Sequence, residues 1–97
     1  MNMQALMKQA QNLQKDMLKT KEEIDKMEFE ATNNLVTVKL NGKKEILSVK
    51  IDAESLDKDD IESLEDMIML AVNKSLNEID KVTEEKMGKY SSFPGLF

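Results

Sequence analysis

Residues 3–27 show an unbroken heptad pattern of apolar positions. The a and d positions are Met3, Leu6, Ala10, Leu13, Met17, Thr20, Ile24 and Met27. Only Thr20 is polar, and neither Gly nor Pro interrupts the stretch, so the pattern predicts one long helix over residues 1–27. Its seam must pack against another helix, from the same chain or from a second copy, because it would otherwise stay in water as an apolar stripe.

After this helix the period of the apolar positions changes from 3.5 to two. The alternating residues predict three strands within residues 28–52. They are Phe29 and Ala31, then Val36, Val38 and Leu40, then Leu47, Val49 and Ile51. Asn33-Asn34 and Asn41-Gly42 are candidate two-residue turns, because Asn and Gly tolerate the positive φ of a type I′ hairpin.

These two turns predict a register for the three-stranded meander. Val36 would lie opposite Leu47 on one side and Ala31 on the other, and Val38 would lie opposite Phe29. In this register one face of the sheet is apolar except at Glu45. The agreement of two turns on one apolar face supports an antiparallel meander.

A second apolar stripe predicts a helix over residues 58–88, between a connector at 53–57 and an irregular tail at 89–97. The inward positions are Ile61, Leu64, Ile68, Ala71, Val72, Ser75, Ile79 and Val82, widened by Met67, Met69, Leu70 and Leu76. So wide a stripe indicates burial against two surfaces, the sheet and a second subunit. In the tail, Phe93, Leu96 and Phe97 either dock on a neighbour or stay loose.

The predicted fold is therefore a single α+β domain, α-β-β-β-α over residues 1–97, that dimerises. A chain of 97 residues buries a modest core, and a second copy is a reasonable source of further burial. The residues expected in packing or at the dimer interface are Leu6, Leu13, Met17, Ile24, Leu64, Ile68 and Val72.

The residue inventory disfavours an enzyme. The chain has no Cys and no His, which removes thiol nucleophiles, zinc clusters and the commonest general base. We expect no metal, no cofactor and no small-molecule substrate. The start of the chain lacks the basic and apolar regions of a signal peptide, and no apolar run reaches the length of a membrane span. We expect a cytoplasmic protein without a membrane partner.

Residues 52–66 hold eight carboxylates and one lysine. A calcium loop of the EF-hand type needs a central Gly, whereas these acids lead directly into Ile61, Leu64 and Ile68 at helical spacing. They suit the start of a helix, where Asp57 or Asp59 is expected to cap it. A hydrolase that uses this cluster is a further hypothesis, disfavoured because no nucleophile and base accompany the acids.

The net charge of −5 argues against a nucleic-acid partner, but the charge is distributed unevenly. Residues 1–21 carry four Lys and one Asp, residues 22–66 have a net charge of −8, and residues 67–97 balance four Lys with four acids. Lys8 and Lys15 occupy f positions, and no acid lies three or four residues from either. Because the chain has no Arg, any DNA contact should be to backbone charge more than to base edges.

The candidate DNA-binding residues are Lys8, Lys15, Lys19, Lys21, Lys81, Lys86 and Lys89. Some have acids at i,i+4 that should partly neutralise them: Glu23 for Lys19, Asp25 for Lys21 and Glu85 for Lys81. Helix one enters the sheet at its C-terminal end and helix two leaves the sheet at its N-terminal end. The free ends of the helices are therefore residues 1–21 and the residues past about 74.

Several short motifs together resemble the YbaB/EbfC family of small bacterial nucleoid-associated proteins. The motifs are Leu6-Met7-Lys8-Gln9-Ala10-Gln11, residues 36–42, Ser48-Val49-Lys50-Ile51-Asp52, Leu64-Glu65-Asp66-Met67-Ile68 with Ala71 and Asn73, and Phe93-Pro94-Gly95-Leu96. The sequence departs from the family pattern in using only Lys at basic positions and in a reduced glycine-rich run before the C-terminal Pro-Gly.

The resemblance implies a homodimer whose long helices project from a central sheet like the arms of tweezers. It also implies binding to double-stranded DNA in the nucleoid, with a role in nucleoid organisation or gene regulation. An alternative is a coiled-coil adaptor that grips another protein through its Met-rich seam and does not bind DNA itself. The acidic composition favours that alternative.

Overall fold

The computed structural model describes residues 2–92 and confirms the order of a helix, three strands and a second helix. Helix α1 covers Met3–Lys26, the strands are β1 (Glu28–Asn33), β2 (Val36–Asn41) and β3 (Ile46–Ile51), and helix α2 covers Ile61–Met87. Short 3-10 helices, η1 (Lys58–Asp60) and η2 (Gly88–Ser92), flank α2, so residues 88–92 are helical where we expected a helix end and an irregular tail. The predictions for Phe93, Leu96 and Phe97 lie outside the described residues.

The core lies between α2 and one face of the antiparallel sheet, whose strand order is β1-β2-β3. Helix α2 packs on β1 and β2. The buried core residues are Phe29, Ala31, Val36, Val38, Leu40, Ala71 and Ile79. They are the apolar residues predicted for the first two strands together with two inward positions of the second stripe, so the sequence pattern predicts this part of the layer correctly. Residues of β3 all remain exposed.

The first hairpin turn is displaced by one residue from its predicted place. Asn34 and Leu35 form the two-residue turn, and Asn34 has the expected positive φ, at 51°. Ala31 therefore pairs with Val38, and Val36 pairs with Asn33. The predicted pairing of Ala31 with Val36 was wrong by two residues. Because side chains alternate with period two, this error leaves every residue on the predicted face.

The second connection is longer than predicted. Val36 pairs with Ile51 rather than with Leu47, and Leu47 is an extra residue in β3 between the partners of Lys39 and Leu40. The Asn41 side chain organises the loop, because its Oδ1 accepts hydrogen bonds from the backbone N–H groups of Lys43 at 2.9 Å and Glu45 at 3.0 Å. A side chain that bonds ahead along its own backbone favours a wider turn than the two-residue type.

Gly42 is needed for a close approach between this loop and α1, and the predicted positive φ is absent there. Its backbone N–H donates to the carbonyl of Met27 at 3.0 Å. A Cβ at Gly42 would lie 2.5 Å from the carbonyl carbon of Ile24 and still closer to its oxygen. The loop thereby attaches the C-terminal end of α1 to this end of the sheet.

The acidic block lies at the other end of the sheet. The backbone N–H of Asp52 donates to the carbonyl of Leu35, in the β1–β2 turn, at 2.8 Å. The Asp60 carboxylate accepts a hydrogen bond of 3.0 Å from the backbone N–H of Asp57, which precedes η1. These acids therefore begin the helical segment, as predicted, and stand away from the point where α1 leaves the sheet.

Candidate nucleic-acid interface

A two-helix arm extends from the sheet at the Gly42 end. It consists of residues 2–23 of α1 and residues 80–92 of α2 and η2, and it gives the chain an extent of 72 Å along its longest axis against 18 and 14 Å across. Its two helices pack against each other. Met17 is buried, and the Thr20 and Tyr90 hydroxyls are hydrogen-bonded at 3.2 Å. Tyr90 is only 1% exposed, so η2 is anchored on α1.

The outer part of α1 continues past this anchored region. We call residues 2–15 the tip; at 1.5 Å per residue it is about 20 Å long. Asn2 caps it, since its Oδ1 accepts hydrogen bonds from the backbone N–H groups of Gln4 at 3.0 Å and Ala5 at 3.3 Å. Along the a and d positions of the tip, burial increases from Leu6, which is exposed, to Leu13, which is half-buried. The tip contains no carboxylate.

All seven candidate lysines lie exposed on α1, α2 or η2. Lys8 and Lys15 are on the tip. Lys19 and Lys21 flank Thr20, and Lys89 precedes Tyr90, so the contact between the two hydroxyls brings these three lysines to the same part of the arm. Lys81 and Lys86 lie toward the C-terminal end of α2, past the core residue Ile79.

The ion pairs expected at i,i+4 for these lysines are absent. Within residues 2–92 the structure shows two ion pairs, Lys26 with Glu22 at 3.9 Å and Lys44 with Asp80 at 2.8 Å. The expected pairs of Lys19 with Glu23, Lys21 with Asp25 and Lys81 with Glu85 are therefore not formed as direct contacts. Exposed pairs of this kind contribute only about 0.3–0.5 kcal/mol and must restrain two long side chains, so solvation competes with them effectively.

Three residues that shape the arm were not predicted from the sequence. Tyr90 anchors η2, and Lys44 pairs with Asp80 across the base of the arm. The Lys89 ammonium also lies 5.1 Å from the centre of the Tyr90 ring, a cation–π arrangement. The available signal was that Tyr90 is the one tyrosine of the chain, two residues after the Gly88 that follows α2.

The predicted packing residues differ in how far a single chain covers them. Met17 and Ile24 are buried, Leu13, Leu64, Ile68 and Val72 are half-buried, and Leu6 is exposed. Further apolar side chains on β3 and α2 are exposed: Ile46, Val49, Ile51, Ile61, Met69 and Leu70. Val49 and Ile51 pair with the buried Val38 and Val36, so they lie on the same face of the sheet as the core. Helix α2 packs on β1 and β2 and leaves them uncovered on β3.

The described part of the chain offers little for catalysis or metal binding. An open groove of about 550 Å³ is lined mainly by charged side chains near the C-terminal end of α1, on β1 and in the β2–β3 loop. No group of three or more acids among residues 2–92 is placed to hold a metal ion. Neither α1 nor α2 contains a segment long and apolar enough to cross a membrane.

Comparison with known proteins agrees with the resemblance noted in the sequence. The model of the YbaB/EbfC DNA-binding family matches residues 1–93. A nucleoid-associated protein of Oceanobacillus iheyensis is 46% identical over 101 residues, covering 99% of this chain and 97% of the relative. A nucleoid-associated protein of Ligilactobacillus salivarius is 44% identical, covering 99% and 95%.

A nucleoid-associated protein of Lactococcus lactis subsp. cremoris is 45% identical over 93 residues, covering 94% of each chain. These relatives are bacterial, and their names place them in the nucleoid. The family is one of DNA-binding, nucleoid-associated proteins and is not an enzyme family. From the match of the family model to residues 1–93 and the similarity to these relatives, this chain belongs to the YbaB/EbfC DNA-binding family.

Proposed function

We propose that this protein binds double-stranded DNA as a homodimer, through lysines of the two arms, and acts in nucleoid organisation or gene regulation. The observation that carries the proposal is the tip of α1, where Lys8 and Lys15 are exposed and no carboxylate occurs among residues 2–15. A positive surface free of acids is what phosphate neutralisation requires. Membership of a DNA-binding family supports the same partner.

The separation of charge along the fold favours the arm over the body. The acidic block at 52–66 starts from the end of the sheet opposite to the arm, as the hydrogen bond from Asp52 to Leu35 indicates. A duplex that lies against the arms therefore stays away from most of the carboxylates. The net charge of −5 then reduces binding by long-range repulsion and leaves the local contact favourable.

The homodimer is supported by the apolar surface that one chain leaves open. β3 is an edge strand, and its Val49 and Ile51 share the core face without cover from α2. An exposed, apolar edge strand is a site of association with another chain. A second copy that covers β3 and the nearby exposed residues of α2 would bury this surface and place two arms on one body.

The test is a titration of duplex DNA at several salt concentrations. Each phosphate contact contributes about 0.9 to the slope of log K against log salt, so Lys15→Ala, which removes two contacts from a dimer, should lower the slope by about 1.8. Lys39→Ala and Lys50→Ala are matched controls on the sheet and should leave the slope nearly unchanged.

Two outcomes would contradict the proposal in different ways. A larger effect of the sheet lysines than of Lys15 would reject the arms as the contact surface while DNA binding itself remained. The absence of salt-sensitive binding by the unaltered protein at low ionic strength would favour the alternative, a coiled-coil adaptor that grips another protein through its Met-rich helix.

A further inference from the structure

We infer that the tip also contacts DNA through apolar side chains, Met3 and Met7, which supply a part of the affinity that does not depend on salt. The inference rests on the proposed function, because it assigns a second kind of contact to the same arm. Met3 is 67% exposed and Met7 is 59% exposed. They lie on the first turns of α1, beyond the region where α2 and η2 cover it.

Packing against the other described residues does not explain why apolar side chains occupy these two positions. Farther along α1, Leu13 is half-buried, Met17 is buried, and Tyr90 is anchored beside Thr20. Within residues 2–92, Met3 and Met7 are covered by other side chains much less than these residues are. Within the described part of the chain these two large apolar side chains stay in water, and a partner that covered them would remove apolar surface from water.

Charge complementarity selects DNA as that partner. Lys8 directly follows Met7, Lys15 lies two turns farther along α1, and no carboxylate occurs among residues 2–15, so the tip as a whole carries a net positive charge. The phosphates of a duplex pair with the lysine ammonium groups, and its grooves expose apolar parts of sugars and bases that the methionines can contact. Met is one of the apolar residues that DNA-binding proteins insert or press into the minor groove. Its unbranched, polarisable side chain also adapts to surfaces that vary with sequence.

This arrangement suits binding with little sequence preference. Lys8 and Lys15 contact phosphates, which every duplex presents at the same spacing. The methionines add contact area without hydrogen bonds, so they discriminate little among base pairs except through groove width and the ease of deforming the duplex. The chain has no Arg that could form paired hydrogen bonds with guanine edges. The apolar contacts of the methionines add affinity that does not depend on recognising particular bases.

The experiment compares Met3→Gln and Met7→Gln with Lys15→Ala and a control, Leu18→Gln, in the full-length protein. Gln keeps the length and helix propensity of Met but removes its apolar character. Leu18 is 55% exposed on the same helix but lies outside the tip, so it is matched in exposure. Dissociation constants for a duplex are measured by anisotropy at four salt concentrations, and melting temperatures are measured without DNA.

We expect each methionine variant to weaken binding by about fivefold at every salt concentration, so that its log–log line is parallel to that of the unaltered protein. Lys15→Ala should instead change the slope, and Leu18→Gln should change neither quantity. Calorimetry should show a less negative heat capacity of binding for Met7→Gln, because less apolar surface is buried.

The inference is overturned if both methionine variants bind within twofold of the unaltered protein. It is also overturned if they lower the melting temperature or the oligomeric state in the absence of DNA, since the methionines would then be covered by the protein itself or by a second copy. In either case a salt-dependent affinity that responds to Lys15→Ala would leave the proposed function intact. Failure of the proposed function would show differently, as an unaltered protein without salt-dependent binding.

Discussion

Replacing Gly42 by Ala should destabilise the protein strongly, because this glycine lets the β2–β3 loop approach the last turn of α1. The added Cβ would lie 2.5 Å from the carbonyl carbon of Ile24 and 3.0 Å from the Cα of Asp25. Both are backbone atoms, so no side-chain rotation relieves the overlap. The loop must move away from α1, and the hydrogen bond from the Gly42 N–H to the Met27 carbonyl, 3.0 Å long, is lost or stretched.

The size of the effect follows from two contributions. Overpacking of a tight contact costs about 1–3 kcal/mol. The loss of the hydrogen bond adds about 0.5–1.5 kcal/mol. Together they predict a loss of about 2–4 kcal/mol, a large share of the roughly 5–15 kcal/mol by which small domains are stable. Since α1 is attached to the sheet at this point, the direction of the arm should change as well.

The assay is urea denaturation followed by circular dichroism at one fixed protein concentration, because association affects apparent stability. Gly88→Ala is the matched control. A Cβ there meets nothing within 4 Å, and its φ of −57° and ψ of −34° are helical. That substitution should stabilise the protein by about 0.5–1 kcal/mol. If Gly42→Ala were as stable as the unaltered protein, the close approach would not restrain the fold and the reasoning would be refuted.

Three further predictions concern the core, the arm and the open face. Ser75 is 1% exposed and its hydroxyl has no hydrogen-bond partner among residues 2–92, so Ser75→Ala should raise the unfolding free energy by about 1 kcal/mol in the same denaturation assay. Tyr90→Phe should lower the unfolding free energy by about 1 kcal/mol, because the hydrogen bond to the Thr20 hydroxyl is lost. In a protein that already carries Thr20→Val, the same change should lower it no further. Equal losses in both proteins would contradict the pairing of the two hydroxyls. Val49→Asp should dissociate the proposed dimer in light scattering, whereas Ser48→Asp, on the other face of β3, should not.

The order of the elements and the faces of the helices and strands were determined by the sequence itself. The heptad seam of α1 and the alternation of Phe29, Ala31, Val36 and Val38 are local patterns, because each side chain's direction follows from the periodicity of its own helix or strand. For the same reason the sequence alone places the excess of lysines near the free end of the first helix and the excess of acids in the middle of the chain. The expectation that DNA is the partner came from the motifs that resemble the YbaB/EbfC family.

Tertiary structure decided the register, the loop and the anchoring of the arm. A strand displaced by two or four residues keeps its apolar face, so alternation alone did not distinguish Val36 opposite Leu47 from Val36 opposite Ile51. The role of Gly42 depends on Ile24, which belongs to another element, and Tyr90 is buried because Thr20 lies beside it. These features arise from contacts between segments far apart in the chain, and a pattern within one segment carries no information about the distance to another.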